Sequence, residues 1–219
     1  MFEKQVISIN KYTKILVPAS SYDMLEESRL LIPFTSGANI GFVNRKGEIL
    51  VKPKYAMYYG ECYNESDLIK VAIEHPYGIY RKNGKVAIYP HHLYGVINAK
   101  GEIVLDVEYL SLGIANNSIF SVQRMDGKYG VIDRYGTEIV PYGKYSWIDF
   151  FDRELARVKY GKCSSLNFKG DKWGIIDKTG REVLAVQYDN IWNFYEKEYD
   201  NIVVEKDGVK SRISFSELI

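Results

Sequence analysis

Hydrophobic and polar residues alternate over short runs through most of the chain, and this alternation predicts β-strands. The runs are rich in β-branched and aromatic residues and are separated by Gly, Asn or Asp, as is typical of strands joined by tight turns. The best candidate for a helix, residues 21–31, is short and has no sustained helical period. The pattern therefore predicts an all-β fold.

One hydrophobic run recurs along the chain together with its turn. The clearest version, residues 173–184, is matched by residues 129–140, 94–104 and 40–50. The leading glycines of the four copies, at positions 41, 95, 130 and 174, lie 54, 35 and 44 residues apart. Each copy ends in a tyrosine, and these are Tyr55, Tyr109, Tyr145 and Tyr188. This periodicity indicates tandem copies of one supersecondary unit.

Each copy contains a turn of the form Asn/Asp-x-x-Gly. The first residues of these turns are Asn44, Asn98, Asp133 and Asp177. A side-chain acceptor at the first position and a glycine at the fourth suit a type I turn or its bulged hairpin variant, so each turn is expected to join two antiparallel strands. A further strand precedes them, for example at residues 119–124. Each unit is therefore predicted to be a three-stranded meander, or a four-stranded one if residues 188–194 form a separate strand.

The whole chain is interpreted as a single repeat domain, residues 1–219. Four full units occupy residues 29–195, residues 1–28 hold a degenerate unit, and residues 196–219 hold a partial one. Because a lone meander buries only one face, the units must pack on each other. The preferred arrangement is an open spiral or solenoid. The alternative is a closed propeller of about five blades, in which residues 202–206 would complete the N-terminal unit.

The segment Lys172-Trp173-Gly174-Ile175-Ile176-Asp177, with Gly180 and the tail at residues 183–188, resembles the bacterial WG-repeat family, also called KWG repeats. The resemblance extends from about residue 29 to 195. This chain departs from the family pattern at Tyr94 and Tyr129, which replace the tryptophan, and at Ile40. The resemblance implies a repeat scaffold that mediates interactions rather than catalysis, and it carries over no catalytic or binding residues.

Charge and composition narrow the class of partner. The chain has 29 Lys and Arg against 28 Asp and Glu, a net charge of +1, which argues against nucleic acid and anionic membranes because clustered cations hold both. No apolar run approaches the roughly 18 residues of a membrane helix, and the N-terminus opens no signal peptide. Cys62 and Cys163 are too few for a disulfide scaffold. A cytoplasmic protein without membrane insertion is therefore expected.

The histidines His75, His91 and His92 lie in or beside an insertion near residues 76–92. We interpret the insertion as a protruding hairpin turned at Asn83-Gly84; a decayed extra copy beginning at residue 77 is the alternative. His91 and His92 are adjacent, and neighbours on a strand point to opposite faces, so no metal site is predicted.

The sequence offers no catalytic constellation. The acids Glu102, Glu138 and Glu182 are interpreted as one recurring position, and repetition favours a structural role over a unique catalytic site. No phosphate-binding loop, nucleophile elbow or zinc-binding helix motif occurs. We therefore expect no enzymatic activity and no cofactor.

Aromatic residues are abundant, with 19 Tyr, 9 Phe and 3 Trp, and those at repeat positions are expected to form the core between units. Aromatics outside the repeat positions are the candidate binding residues, namely Tyr58, Tyr59, Tyr63, Tyr142, Trp192 and Tyr195. Amphipathic rings on connecting segments are favoured at protein contacts and at sugar-binding surfaces. The first hypothesis is a scaffold that binds a protein; a glycan or cell-envelope ligand is the second, and a metal-dependent enzyme the third.

Overall fold

The computed structural model describes residues 4–10, 13–18, 31–44, 46–59, 68–82, 85–115, 118–161, 171–192, 194 and 200–218, with the backbone alone for 4–10, 13–18, 76–82 and 85–90. In this part of the chain the regular structure is β-strand, apart from one 3-10 turn at Phe215–Glu217. Within the same ranges, no helix is long and apolar enough to cross a membrane. The predicted helix candidate lies outside the described residues except for Leu31.

The chain divides into two compact units at Leu110/Ser111. Unit 1 contains a two-stranded, a three-stranded and a four-stranded sheet. Their strands are β1 (Lys4–Asn10) and β2 (Thr13–Pro18); β3 (Ile32–Ser36), β4 (Asn39–Val43) and β5 (Ile49–Tyr55); and β6 (Met57–Tyr59), β7 (Leu68–Lys82), β8 (Lys85–Asn98) and β9 (Ile103–Tyr109).

Unit 2 contains two four-stranded sheets and one three-stranded sheet. Their strands are β10 (Ser111–Ala115), β11 (Ile119–Gln123), β12 (Tyr129–Asp133) and β13 (Glu138–Val140); β14 (Trp147–Ile148), β15 (Leu155–Tyr160), β16 (Lys172–Asp177) and β17 (Glu182–Tyr188); and β18 (Asn190–Trp192), β19 (Asn201–Lys206) and β20 (Val209–Ser214). Strand pairing is antiparallel throughout both units, so the predicted all-β architecture of tandem three- to four-stranded sheets is confirmed.

The boundaries of the sequence repeat do not coincide with the boundaries of the sheets. Residues 188–194 do form a separate strand, β18, but it belongs to the sheet that follows the fourth copy. Each sequence copy supplies the last two strands of one sheet, and the chain then starts the next sheet. β19 is the central strand of the last sheet, between β18 and β20, so residues 202–206 do not complete the N-terminal unit.

The leading glycines of the first, second and fourth copies permit a close backbone approach. A Cβ on Gly174 would lie 2.7 Å from the Leu184 carbonyl oxygen, and one on Gly95 would lie 2.7 Å from that of Leu105. In both sheets the register of the third and fourth strands shifts beside this glycine. The absence of a Cβ at this glycine therefore lets the two strands approach each other closely.

The recurring turn closes each hairpin as predicted. Asp177 Oδ1 accepts the N–H groups of Thr179 at 2.9 Å and Arg181 at 3.1 Å, and Gly180 adopts a φ of +81° that favours glycine. A Cβ on Gly180 would also lie 2.9 Å from Val140 Cγ2, in the last strand of the preceding sheet. The turn of one copy therefore packs on the sheet of its neighbour. Such contacts between neighbours are how repeats stabilise each other.

The tail tyrosines of three copies lie in the core, where Tyr55, Tyr109 and Tyr145 are at most 8% exposed. The leading aromatics lie at the margin of the core, and half-buried Tyr129 and Trp173 pack against buried clusters of unit 2. Within each unit, the repeat positions therefore form a core between neighbouring sheets, as predicted. The tail tyrosines are among its most deeply buried aromatic residues.

The three repeated glutamates do not share one position, and that interpretation is wrong. Glu138 and Glu182 lie opposite Ile132 and Ile176 at the start of the fourth strand, and the matched residue in the second copy is Ile103, opposite Ile97. Glu102 lies one residue earlier, where its N–H bonds to Asn98 Oδ1 within the turn. The third and fourth copies have one more residue between the turn glycine and the glutamate.

The insertion near residues 76–92 extends the β7 and β8 hairpin. The two strands remain paired from Gly78, opposite Tyr89, to Lys82, opposite Lys85, after a register shift beyond His75. The tip at residues 83–84 lies outside the described residues. The backbone therefore has the form of a protruding hairpin rather than of an additional copy.

Candidate interaction surface

The predicted aromatic candidates divide into packing residues and exposed residues. Tyr63 and Tyr195 lie outside the described residues. The other four lie on or beside sheet edges of the two units, with Tyr58 and Tyr59 in β6, Tyr142 after β13 and Trp192 in β18.

Tyr58 and Tyr142 serve local packing. The Tyr58 ring makes an edge contact with Phe42 at 5.7 Å between centroids and borders a buried cluster of unit 1. The Tyr142 ring covers Gly130, whose Cβ would lie 2.8 Å from it, and the Arg124 guanidinium lies 3.9 Å from its centroid. The Tyr58 ring therefore packs its sheet against the preceding one, and the Tyr142 ring stabilises its own sheet.

Tyr59 and Trp192 occupy the same position in two different sheets. Each is the third residue of a short first strand, and each follows the tail tyrosine of the preceding sheet, Tyr55 or Tyr188, by four residues. A Lys ammonium nitrogen lies 4.6 Å from the ring centroid in both cases, Lys70 over Tyr59 and Lys210 over Trp192. This recurrence defines the edge aromatic position of the repeat.

In unit 1, Lys70 lies between two tyrosines. Its ammonium nitrogen is 5.2 Å from the Tyr94 centroid, and the Tyr59 and Tyr94 centroids are 6.0 Å apart. Burial lowers the pKa of Lys70. The pKa of Tyr94 is raised, chiefly by burial and also by its hydrogen bond and charge interaction with Tyr59. Tyr59 itself remains 39% exposed, so the cluster presents one ring to its surroundings.

The other two sheets of unit 2 fill the edge position differently. In the first, Gly113 stands there and the half-exposed ring of Phe150 covers it. In the next, Asp149 stands there and accepts two hydrogen bonds from Arg157, at 2.7 and 3.0 Å. An aromatic ring therefore covers this position in three sheets and an ion pair fills it in the fourth.

Sequence reasoning missed a buried charged cluster in unit 2. Arg157 bridges Asp149 to the Ile191 carbonyl oxygen at 2.9 Å, and its guanidinium lies 5.4 Å from the Trp173 ring centroid. Lys159 pairs with Asp171 at 3.0 Å, with both side chains less than a tenth exposed. Each charge is matched by an opposite one, so the cluster ties neighbouring sheets together.

The three histidines are neighbours on the two strands of the hairpin. His75 lies opposite His91 and Glu74 opposite His92 in the β7 and β8 ladder, and the His92 ring is 6.5 Å from that of Tyr94. No group of three His, Cys, Asp or Glu side chains placed to hold a metal ion occurs among the described residues. Cys62 and Cys163 lie outside the described residues.

A second surface that sequence reasoning missed lies on the last strands of the sheets of unit 1. Ile49 and Ile103 start these strands and are 41% and 52% exposed, and Leu50 is 38% exposed. A Cβ on the turn residue Gly101 would lie 3.4 Å from Leu50 Cβ, so the two strand starts are neighbours. Counting residues from each turn glycine would have shown that these isoleucines stand where unit 2 has glutamates.

Comparison with solved structures finds a similarity to Kluyveromyces lactis Hsv2 at 10% sequence identity and a TM-score of 0.43, covering 88% of this chain. The chain spans 59% of the length of that protein. A similarity of this size does not bear on function. Comparison with curated proteins finds no match.

The family comparison matches the repeats themselves. The family model described as WG containing repeat matches residues 40–60, 94–129, 129–162 and 173–209, together more than half of the chain. Each matched segment except the first runs from the third strand of one sheet into strands of the next, in agreement with the phase of the structural repeat. The chain belongs to the WG repeat family.

Proposed function

We propose that this chain is a non-enzymatic repeat scaffold that binds a protein partner through its edge aromatic position, with Tyr59 and Trp192 as the contact residues. The observation that carries the proposal is the recurrence of a partly exposed ring beside a Lys ammonium, at 4.6 Å and at the same register in two sheets. Neither ring lies at one of the repeat positions that were predicted to form the core, and neither is fully buried.

Ring chemistry supports a protein partner. Large rigid aromatics bordered by charge are the residues that contribute most binding energy at protein interfaces, because they bury much apolar area with little loss of side-chain freedom. A sugar would need the face of the ring for stacking, and at both sites a Lys ammonium covers a face.

The charged groups nearby support a role without catalysis. Asp149 is bonded to Arg157 and Asp171 to Lys159, so the buried acids and bases of unit 2 neutralise each other. A general acid or base has to be available to a reacting group rather than engaged in an ion pair.

Matched single substitutions test the proposal. Partners are captured from host extract, identified by mass spectrometry, and the best one is purified for titration calorimetry with the recombinant chain. Tyr59→Ala and Trp192→Ala should each weaken binding by roughly tenfold or more, as expected for aromatic hot spots. Tyr135→Ala is the control, because Tyr135 is 86% exposed on a turn and lies outside the edge position.

The melting temperature checks that the variants fold. The proposal is wrong if both variants bind the partner as well as the wild-type chain does, or if Tyr135→Ala weakens binding equally. A glycan array probed with the isolated chain distinguishes the second hypothesis, since saccharide binding that both substitutions abolish would replace the protein partner by a glycan.

A further inference from the structure

The last strands of the two larger sheets of unit 1 carry opposite charges, and their burial patterns differ only at the second residue. β5 contains Lys52 and Lys54, and β9 contains Asp106 and Glu108 at the matched positions, as fixed by the pairing of Val51 with Phe42 and of Leu105 with Val96. In both strands the charged residues are exposed and flank one half-buried residue, Pro53 or Val107. One edge is therefore basic and the other acidic.

Three of these four charges have no ion pair within the part of the chain that the structure describes, and the fourth lies beside an aromatic ring. Lys52, Asp106 and Glu108 have no ion-pair partner among the described residues, and Lys54 contacts the Tyr55 ring at 5.1 Å. In the same part of the chain, β5 pairs only with β4 and β9 only with β8, so each strand has one unpaired edge. An unpaired strand edge is a template for another strand.

Exposed apolar side chains accompany the charges. Ile49, Leu50 and Ile103 start these strands and are each more than a third exposed. The edges of natural sheets are usually protected by charge at such positions, and the corresponding residues of unit 2 are indeed Glu138 and Glu182. β17 also has Ala185 and Gln187 where β9 has Asp106 and Glu108. Among the described strands that match β5 and β9 in register, the combination of opposite charges and an exposed isoleucine is therefore found in unit 1.

We propose that these two edges bind each other between two copies of this chain. β9 of one copy lies antiparallel to β5 of the next, with Lys52 opposite Glu108 and Lys54 opposite Asp106. Pro53 lies opposite Val107 at the centre of the contact, and the ion pairs on both sides of it add to the contacts between the two backbones. Because the two surfaces differ, the contact is head to tail. Further copies can add at both ends, so linear oligomers form at high protein concentration.

Charge reversal tests this pairing. Lys52→Glu/Lys54→Glu makes both edges acidic, and Asp106→Lys/Glu108→Lys makes both edges basic. In sedimentation velocity, the wild-type chain should show a sedimentation coefficient that rises with protein concentration at low salt and stops rising at high salt. Each double variant alone should remain monomeric. A mixture of the two should associate, and so should the variant with all four substitutions.

The control is Lys46→Glu/Lys100→Glu, which makes the same charge change at exposed turn residues of unit 1 and should associate like the wild-type chain. A wild-type chain that stays monomeric at every concentration in low salt overturns the proposal. So does a mixture of the two double variants that stays monomeric while both are folded by circular dichroism. The proposal is independent of Tyr59 and Trp192, and Tyr59→Ala should leave self-association unchanged.

Discussion

The last strands of the sheets in units 1 and 2 share a register and differ in chemistry. At the first position of these strands, unit 1 has the exposed residues Ile49 and Ile103, and unit 2 has Glu138 and Glu182. The backbone accepts both because this side chain points away from the sheet core. The comparison shows that the repeat determines the pairing of its strands and leaves the chemistry of its outer edge free to differ between units.

The same position changes the environment of a buried tyrosine. In unit 2, the Tyr145 hydroxyl donates to Glu182 of the following copy at 2.7 Å. In unit 1, the matched hydroxyl of Tyr55 is buried and has no hydrogen-bond partner among the described residues, and Ile103 stands where the glutamate would be. Glu102 does not substitute, because its carboxylate accepts from Asn98 Nδ2 at 2.8 Å.

The largest effect is expected at the feature the units share. Gly95→Ala and Gly174→Ala place a Cβ 2.7 Å from a backbone carbonyl oxygen, and each should lower the free energy of unfolding by about 2–3 kcal/mol in urea titrations. Gly130→Ala meets the Tyr142 side chain, which can move, and should lower it by less than about 1 kcal/mol. Equal losses at all three glycines would contradict the backbone explanation.

Removing the hydroxyl of a buried tyrosine should cost more stability in unit 2 than in unit 1. Tyr145→Phe removes a hydrogen bond to a carboxylate and should lower the free energy of unfolding by about 1.5 kcal/mol, whereas Tyr55→Phe should lower it by less than about 0.5 kcal/mol because no bond is lost. Equal losses would show that the Glu182 contact contributes nothing.

A pH series sharpens this test. Burial, the hydrogen bond to Glu182 and its charge raise the pKa of Tyr145 above its ordinary value of 10.0. The protonated hydroxyl is therefore favoured in the folded state, and its contribution is complete below pH 10 and is lost as the pH rises further. The stability difference between the wild-type chain and Tyr145→Phe should shrink above pH 10.

Unit 1 should accept the chemistry of unit 2. Ile103→Glu places a carboxylate at the position that Glu182 occupies in the fourth copy and supplies an acceptor for the Tyr55 hydroxyl. We expect a gain of about 0.5–1 kcal/mol in the free energy of unfolding, measured in urea, and no gain when Tyr55→Phe is also present. A gain that persists in the double variant would assign the effect to surface charge alone.

The smallest effect is expected in acid. Backbone N–H groups, chiefly that of Thr137, lower the pKa of Asp133; burial raises that of Asp177, but hydrogen bonds from Thr179 and Arg181 outweigh it, so its pKa is also lowered. A lowered folded-state pKa gives stability that is present above the unfolded-state value of 3.8 and is lost as the pH falls below it.

Asparagine at the two turns of unit 2 should remove part of this acid sensitivity. Unit 1 has Asn44 and Asn98 at the matched positions, and these do not titrate. The difference in urea midpoint between pH 7 and pH 3 should therefore be smaller for Asp133→Asn/Asp177→Asn than for the wild-type chain. An unchanged difference would mean that other carboxylates account for the acid response.

Much of the fold could be predicted because its signals are local. The turn at Asp177 needs only an acceptor and a glycine four positions apart, and the close approach at Gly174 needs only the absence of a Cβ. The register of the glutamates could not be predicted, since one additional residue after the turn glycine moves Glu138 from the turn into the strand. The same limit applies to the edge aromatic position, because Tyr59 and Tyr58 are adjacent in sequence and differ only in which face of β6 they occupy.

The sequence by itself determined the strands, the turns and the repetition, because these depend on residues within one copy. Only the tertiary structure decided where one sheet ends and the next begins, which rings remain exposed, and that the outer edges of unit 1 carry opposite charges at one register. Those properties depend on which residues from neighbouring copies meet, and contacts between successive sheets are not encoded in the pattern of any one copy.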